Sequence, residues 1–177
     1  RGVYMYKIKQ QTKKLTTVAL MSAMVFVVTW MIRIPLPFLS GGYLNFGDVM
    51  IYICAYLLGG PQASIAAAVG SGLADLAAGA AVYILPTFII KGIMGFLAGV
   101  ISRKQNFRNY MISCVAGGAF MTAGYAVFEY LFFDAAYALA ALPFNAMQWA
   151  ASVIIAAVTY TLPFQLNVYF QSKYIKI

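Results

Sequence analysis

The sequence predicts an all-α integral membrane protein: six transmembrane helices in one bundle, both termini cytoplasmic, and a long outer loop between helices 1 and 2. Three observations predict it. Hydrophobic residues make up 63% of the 177 residues and charged residues only 9%, against about 25% charged in an ordinary soluble domain. So few charges cannot cover a water-soluble surface, and a chain with 13 Phe and 13 Tyr is too apolar for disorder. The apolar residues gather in runs near the length that crosses a bilayer as a helix, which favours helices over a barrel. The basic residues collect at the ends of those runs and, for six crossings, on one side.

Taken in order, residues 1–4 ahead of Met5 are given no weight, and residues 7–14 are basic and polar. Leu15–Ile32 runs without a charge for about 27 Å at the α-helical rise, and nothing like a small-residue cleavage site ends it. Arg33–Gly47 carries Pro35, Pro37, Gly41, Gly42 and Gly47 and reads as the long loop. Asp48–Leu58 is apolar but short, and Gly59-Gly60-Pro61 is a turn. Gln62–Ala81 is the third span, dominated by Ala and Gly, and Pro86–Ile101 the fourth, with Pro86 suited to a helix start. Ser102–Asn109 is a basic loop and Tyr110–Phe133 the fifth span. Asp134–Phe144 reads as a semi-polar, partly helical connection. Asn145–Phe170 is the sixth span, kinked at Pro163.

Six crossings put Arg1, Lys7, Lys9, Lys13, Lys14, Arg103, Lys104, Arg108, Lys173 and Lys176 on one side and only Arg33 on the other, with Lys91 inside a span. Positive charge marks the cytoplasmic side. The same placement argues against nucleic acid as the partner of a +8 chain. The chain is read as one domain over residues 1–177.

The chemistry available is narrow. There is no His, Cys54 and Cys114 lie in apolar runs, and no CxxC or Cys/His cluster suggests a metal. Only Asp48, Asp75, Glu129 and Asp134 are acidic, and no GxxxxGK[ST] sequence offers a nucleotide site. No metal or cofactor is expected, and a membrane-embedded enzyme is disfavoured. A self-sufficient secondary transporter, using Asp75 and Glu129 for ion coupling, is the alternative from a different class.

Ionisable groups inside spans are costly unless paired or used. Counted along ideal helices, Asp75, Lys91, Glu129 and Gln148 lie about 4.5 to 9 Å below the outer ends of four spans. Tyr125 shares a helical face with Glu129, and Trp149 and Ser152 accompany Gln148. This mixture of polar, aromatic and small residues suits a pocket for a small, polar, partly aromatic molecule. Tyr43 and Asn45, in the long outer loop, are placed to close it. A structural network in which Lys91 is neutralised by Asp75 or Glu129 is the alternative, but two acids and one base exceed what one structural pair needs. A ligand site is therefore favoured for Lys91, Glu129 and Gln148 together. Asp48, at the start of a short helix, is read as a cap at the positive end of the helix dipole. Small residues at Ala66, Gly70, Ala74 and Ala78, and at Gly95 and Gly99, predict tight helix packing. Ala19 and Ala23 form a further small pair near the cytoplasmic end of the first span.

Several segments carry a resemblance. They are Gly42-Tyr43-Leu44-Asn45-Phe46-Gly47-Asp48, Leu58-Gly59-Gly60-Pro61, Gly70-Ser71-Gly72-Leu73-Ala74-Asp75 and Ile90-Lys91-Gly92-Ile93-Met94-Gly95. Together they resemble the S components of energy-coupling factor (ECF) vitamin transporters, six-helix substrate-binding membrane subunits of about this length. The resemblance implies capture of a vitamin outside and association with a transmembrane coupling subunit and two cytoplasmic ATPases in a bacterial plasma membrane. Ala19 and Ala23 match the family's AxxxA motif, which docks on the coupling subunit. Among ligands, hydroxymethylpyrimidine or a pyridoxine-like vitamer is favoured, with riboflavin and pantothenate as alternatives.

Overall fold

The computed structural model describes residues 2–36 and 42–174. Arg1 and Lys176 of the charge count, and Pro37 and Gly41 of the predicted loop, lie outside the described residues. The described chain is a bundle of seven α-helices and one short hairpin. Helix α1 is Gly2–Met31. Strands β1 (Arg33–Pro35) and β2 (Tyr43–Asn45) pair antiparallel, with Arg33 opposite Asn45 and Pro35 opposite Tyr43. Then come α2 (Gly47–Leu58), α3 (Gly60–Ala78), α4 (Ile84–Ile101), α5 (Phe107–Phe132), α6 (Ala135–Val158) and α7 (Thr161–Tyr174). Four helical stretches are long and apolar enough to cross a membrane: Ile8–Met31, Ala81–Lys104, Phe107–Phe132 and Ala135–Val158. The protein is a multi-pass membrane protein.

Helix α2 is short and central. Nearly every residue from Gly47 to Tyr56 is buried, and the helix touches α1, α3, α4, α5, α6 and α7. A helix wrapped by protein needs no polar face, which is why its sequence shows no amphipathic stripe. The small-residue stripes do what close approach requires. A Cβ added at Gly70 would lie 2.5 Å from the Ser22 carbonyl oxygen of α1, and one at Gly99 2.4 Å from the Gly60 nitrogen of α3. Helix α3 ends where Gly79 adopts a left-handed conformation, φ 74°, and donates back to the carbonyls of Asp75 and Leu76.

Three element boundaries differ from the sequence reading. The long loop contains a hairpin that runs straight into α2. The predicted connection 134–144 is the first part of α6, started by the Asp134 side chain accepting from the Tyr137 N–H at 2.7 Å. An Ala-rich stretch with such a cap propagates as helix, and Pro143 sits inside it on an exposed face. The sixth helix stops at Val158 rather than bending at Pro163. Pro163 falls in the first turn of α7, where the missing N–H costs no hydrogen bond.

Candidate functional site

A cavity of about 50 Å³ lies where β2 covers one end of the bundle. Its polar lining comes from five elements and a turn: Tyr43 and Asn45 of β2, Asp75 of α3, Tyr83 of the turn before α4, Thr87 of α4, Tyr125 and Glu129 of α5, and Asn145 and Gln148 of α6. On α5 the residues Tyr125 and Glu129 are one turn apart, and on α6 Asn145 and Gln148 likewise share a face. Helix periodicity thus delivers both pairs to the same space.

Three hydrogen-bond networks frame the cavity. In the first, the Tyr43 hydroxyl donates to Asp75 Oδ1, while buried Asp75 Oδ2 takes no hydrogen bond among the described residues. Burial, and then the adjacent Asp75 carboxylate, push the Tyr43 hydroxyl well above its ordinary pKa, so it remains a donor. Thr87 and Tyr125 hydroxyls are 2.8 Å apart beside it. In the second, Glu129 accepts from the Tyr83 hydroxyl at 3.4 Å and from Asn145 Nδ2 at 3.2 Å. Tyr83 also meets the Tyr137 hydroxyl at 2.9 Å, inside an aromatic cluster with Phe128 and Phe133.

The third network crosses the bundle. Lys91 Nζ forms an ion pair with Asp48 Oδ1, both side chains being buried. Asp48 Oδ2 accepts from Gln148 Nε2 at 2.9 Å. Gln148 Oε1 accepts from the Asn45 backbone N–H at 3.0 Å and from Asn45 Nδ2 at 3.4 Å. Asn45 Oδ1 closes the chain by accepting from the Gly47 N–H at 3.0 Å, at the start of α2.

Of the residues the sequence singled out, Tyr43, Asn45, Asp75, Tyr125, Glu129 and Gln148 come together around the cavity. Lys91, Trp149 and Ser152 do not line it. Lys91 pairs with Asp48 rather than with Asp75 or Glu129, and its ammonium lies 5.6 Å from the Tyr125 ring centroid. Asp48 is therefore not a helix cap: α2 has no side-chain cap, and this carboxylate is fully buried against a cation. A buried charge finds a buried counter-charge, and that tertiary pairing outweighs the local dipole. The Trp149 indole lies across Gly118 of α5, where an added Cβ would meet Trp149 Cδ1 at 1.9 Å. Ser152 is buried with its hydroxyl unpartnered among the described residues. Sequence reasoning missed Tyr83 and Thr87. With Lys91 they recur every four residues, and this one-faced polar stripe at the start of an apolar helix was the available signal. No cluster of three metal-ligating side chains occurs among the described residues.

Partway along α1, Ala19 and Ala23 are exposed in an apolar groove between α1 and α3, lined also by Leu15, Val18, Phe26, Ile65, Val69 and Leu73.

Residues 9–162 match the family described as ECF-type riboflavin transporter, S component. The chain is 32% identical over 146 residues to the thiamine precursor transporter HmpT of Lactococcus lactis subsp. cremoris, covering 82% of this chain and 84% of that protein. It is 37% identical over 132 residues to an uncharacterised protein from the gap 3′ region of Pyrococcus woesei, covering 74% of this chain and 88% of the other. A solved structure of the S component of a bacterial ECF transporter superposes with a TM-score of 0.68 at 21% identity, covering 94% of this chain and 99% of that one.

Proposed function

The chain belongs to the family of ECF-type riboflavin transporter S components, and we propose that its own ligand is a thiamine precursor, the single-ring hydroxymethylpyrimidine, captured at the outer face for ATP-driven uptake by partner subunits. The observation that carries this reading is the cavity itself. It holds about 50 Å³, the room of one or two waters, so a ligand enters by displacing side chains or β2. A single substituted ring demands far less displacement than a three-ring flavin. The lining is rich in acceptors, including Asp75 Oδ2 and the Glu129 carboxyl, and an aminopyrimidine supplies N–H donors. Tyr43, Tyr83 and Tyr125 offer rings for stacking. The name of the Lactococcus lactis relative supports the same choice.

The proposed orientation has both termini and the basic 102–108 loop in the cytoplasm. Helix α1 runs toward the hairpin and α4 away from the cavity, so the basic start of α1 and the Arg103–Lys104 turn lie at the end opposite the cavity. That polarity supports six crossings, including α2 and α3. The groove carrying Ala19 and Ala23 is proposed as the docking face for the transmembrane coupling subunit, with ATP hydrolysis in two further subunits. Lys91, Trp149 and Ser152 are proposed to support the lining from behind it rather than to touch the ligand.

Native mass spectrometry and calorimetry of the purified chain against hydroxymethylpyrimidine, pyridoxine, riboflavin and pantothenate test the ligand. Hydroxymethylpyrimidine should bind most tightly, and Asp75→Asn should weaken it by about ten- to a hundredfold, the cost of a lost charged hydrogen bond. Tighter binding of riboflavin, or unchanged affinity in folded Asp75→Asn, rejects the assignment.

A further inference from the structure

Gln148 stands between two partners of fixed character. Asp48 Oδ2 can only accept and the Asn45 backbone N–H can only donate. One orientation of the Gln148 amide satisfies both, with Nε2 toward Asp48 and Oε1 toward Asn45. Asp48 is itself held: Lys91 occupies its other oxygen, and both are buried. Asp48 is not part of the cavity lining, yet it anchors the Nε2 end of the Gln148 amide, whose Oε1 end is held by the Asn45 N–H and Nδ2. Without an acceptor at this point, buried Nε2 is left unpaired, and an amide that turns to find another acceptor gives up its bonds to Asn45. The bond from Asn45 to Gln148 is a cross-link from β2 to α6, and Tyr43 lies two residues away on the same face of that strand.

We propose that Asp48 is a positioning residue for the vitamin site: by fixing the Gln148 amide it ties β2 to α6 and so holds Tyr43 and Asn45 over the cavity. This rests on the proposed site, but its first readout needs no vitamin. The ligand-free protein is compared with Asp48→Leu/Lys91→Met, which removes both charges and substitutes apolar side chains, an exchange buried ion pairs commonly tolerate. Hydrogen exchange of the Asn45 amide is followed alongside thermal stability. The amide should exchange a few-fold to about tenfold faster, the worth of one neutral hydrogen bond, with the melting temperature close to that of the parent. Asp48→Asn/Lys91→Met keeps an acceptor for Gln148 Nε2 and should restore most of the protection. In a Gln148→Ala background, Asp48→Leu/Lys91→Met should add no further acceleration.

The second readout is hydroxymethylpyrimidine affinity, which should fall by a similar factor through faster dissociation. Unchanged Asn45 exchange in folded Asp48→Leu/Lys91→Met overturns the proposal. So does equal acceleration with and without Gln148, which would mark a general loosening of α2. If the parent protein binds no hydroxymethylpyrimidine, the ligand assignment fails, and the exchange measurements still decide the role of Asp48.

Discussion

Replacing Lys91 by Met tests the buried ion pair directly. The Lys91 and Asp48 side chains are 3% and 0% exposed, so neither has water to fall back on. Methionine keeps most of the lysine stem, and the loss is therefore one of charge rather than of volume. It leaves the Asp48 carboxylate with Gln148 Nε2 as its hydrogen-bond donor among the described residues. Removing one member of a buried pair costs about 3 to 5 kcal/mol. For a chain of this size that lowers the melting temperature by about 6 to 20 °C. The size of the effect alone would not identify the partner, so the assay is a set of rescues read by thermal melting in one detergent. Lys91→Met/Asp48→Asn should recover most of the loss, because the orphaned charge is gone. Lys91→Met/Glu129→Gln should recover none, because Glu129 is satisfied separately by Tyr83 and Asn145. Rescue by Glu129→Gln or Asp75→Asn, without rescue by Asp48→Asn, would refute the pairing and the network built on it.

Other perturbations follow from the packing and the orientation. Gly99→Ala should destabilise by at least the about 1 to 3 kcal/mol typical of overpacking, because its Cβ would strike Gly60 backbone atoms. Gly124→Ala, whose nearest neighbours are Ile90 side-chain atoms at 3.1 to 3.3 Å, should cost less, and melting curves compare the two. Ala19→Trp/Ala23→Trp should abolish co-purification with the coupling subunit while leaving vitamin affinity unchanged; an intact complex removes the docking assignment. In intact cells, a membrane-impermeant maleimide should label Ala136→Cys and spare Lys104→Cys, both exposed positions, with Cys54 and Cys114 buried as silent background. The reverse pattern sinks the orientation.

How much of this was legible in the sequence depends on the range of the interaction responsible. Hydropathy and glycine spacing act along one helix, so the long apolar helices and their contact stripes were readable. The start of α6 was misread because a capping aspartate and an Ala-rich run carry little hydropathy contrast. The site was readable where periodicity alone decides. Asn145, Gln148 and Ser152 lie on one face of α6, and the cavity reaches the first two while Ser152 sits a turn deeper. Trp149 follows Gln148 by one residue, about 100° around the helix, and so belongs to the α5 interface with Gly118. The ion pair was not readable. Asp48 and Lys91 are 43 residues apart, and four acids offered several plausible partners for one buried lysine.

That pairing also bears on which vitamins the proposed pocket would refuse. Asp75 and Glu129 face the cavity, and each is already met by a tyrosine hydroxyl from its rim. The buried cation nearest in kind to balance them, Lys91, is engaged by Asp48 outside the lining. Arg33 sits in the hairpin with its guanidinium 6.0 Å from the Trp30 ring centroid, at the edge rather than in the lining. The lining thus offers carboxyl acceptors without a free ammonium among the described residues. A ligand with its own carboxylate would bring a third acid into a space with little water, where its charge finds no counter-charge and its burial goes uncompensated. Specificity of this kind works by rejection as much as by attraction. In the proposed ligand panel it sets pantothenate, an anion, apart from the neutral rings, and it favours among those the aminopyrimidine, whose exocyclic amino group can donate to a carboxyl acceptor.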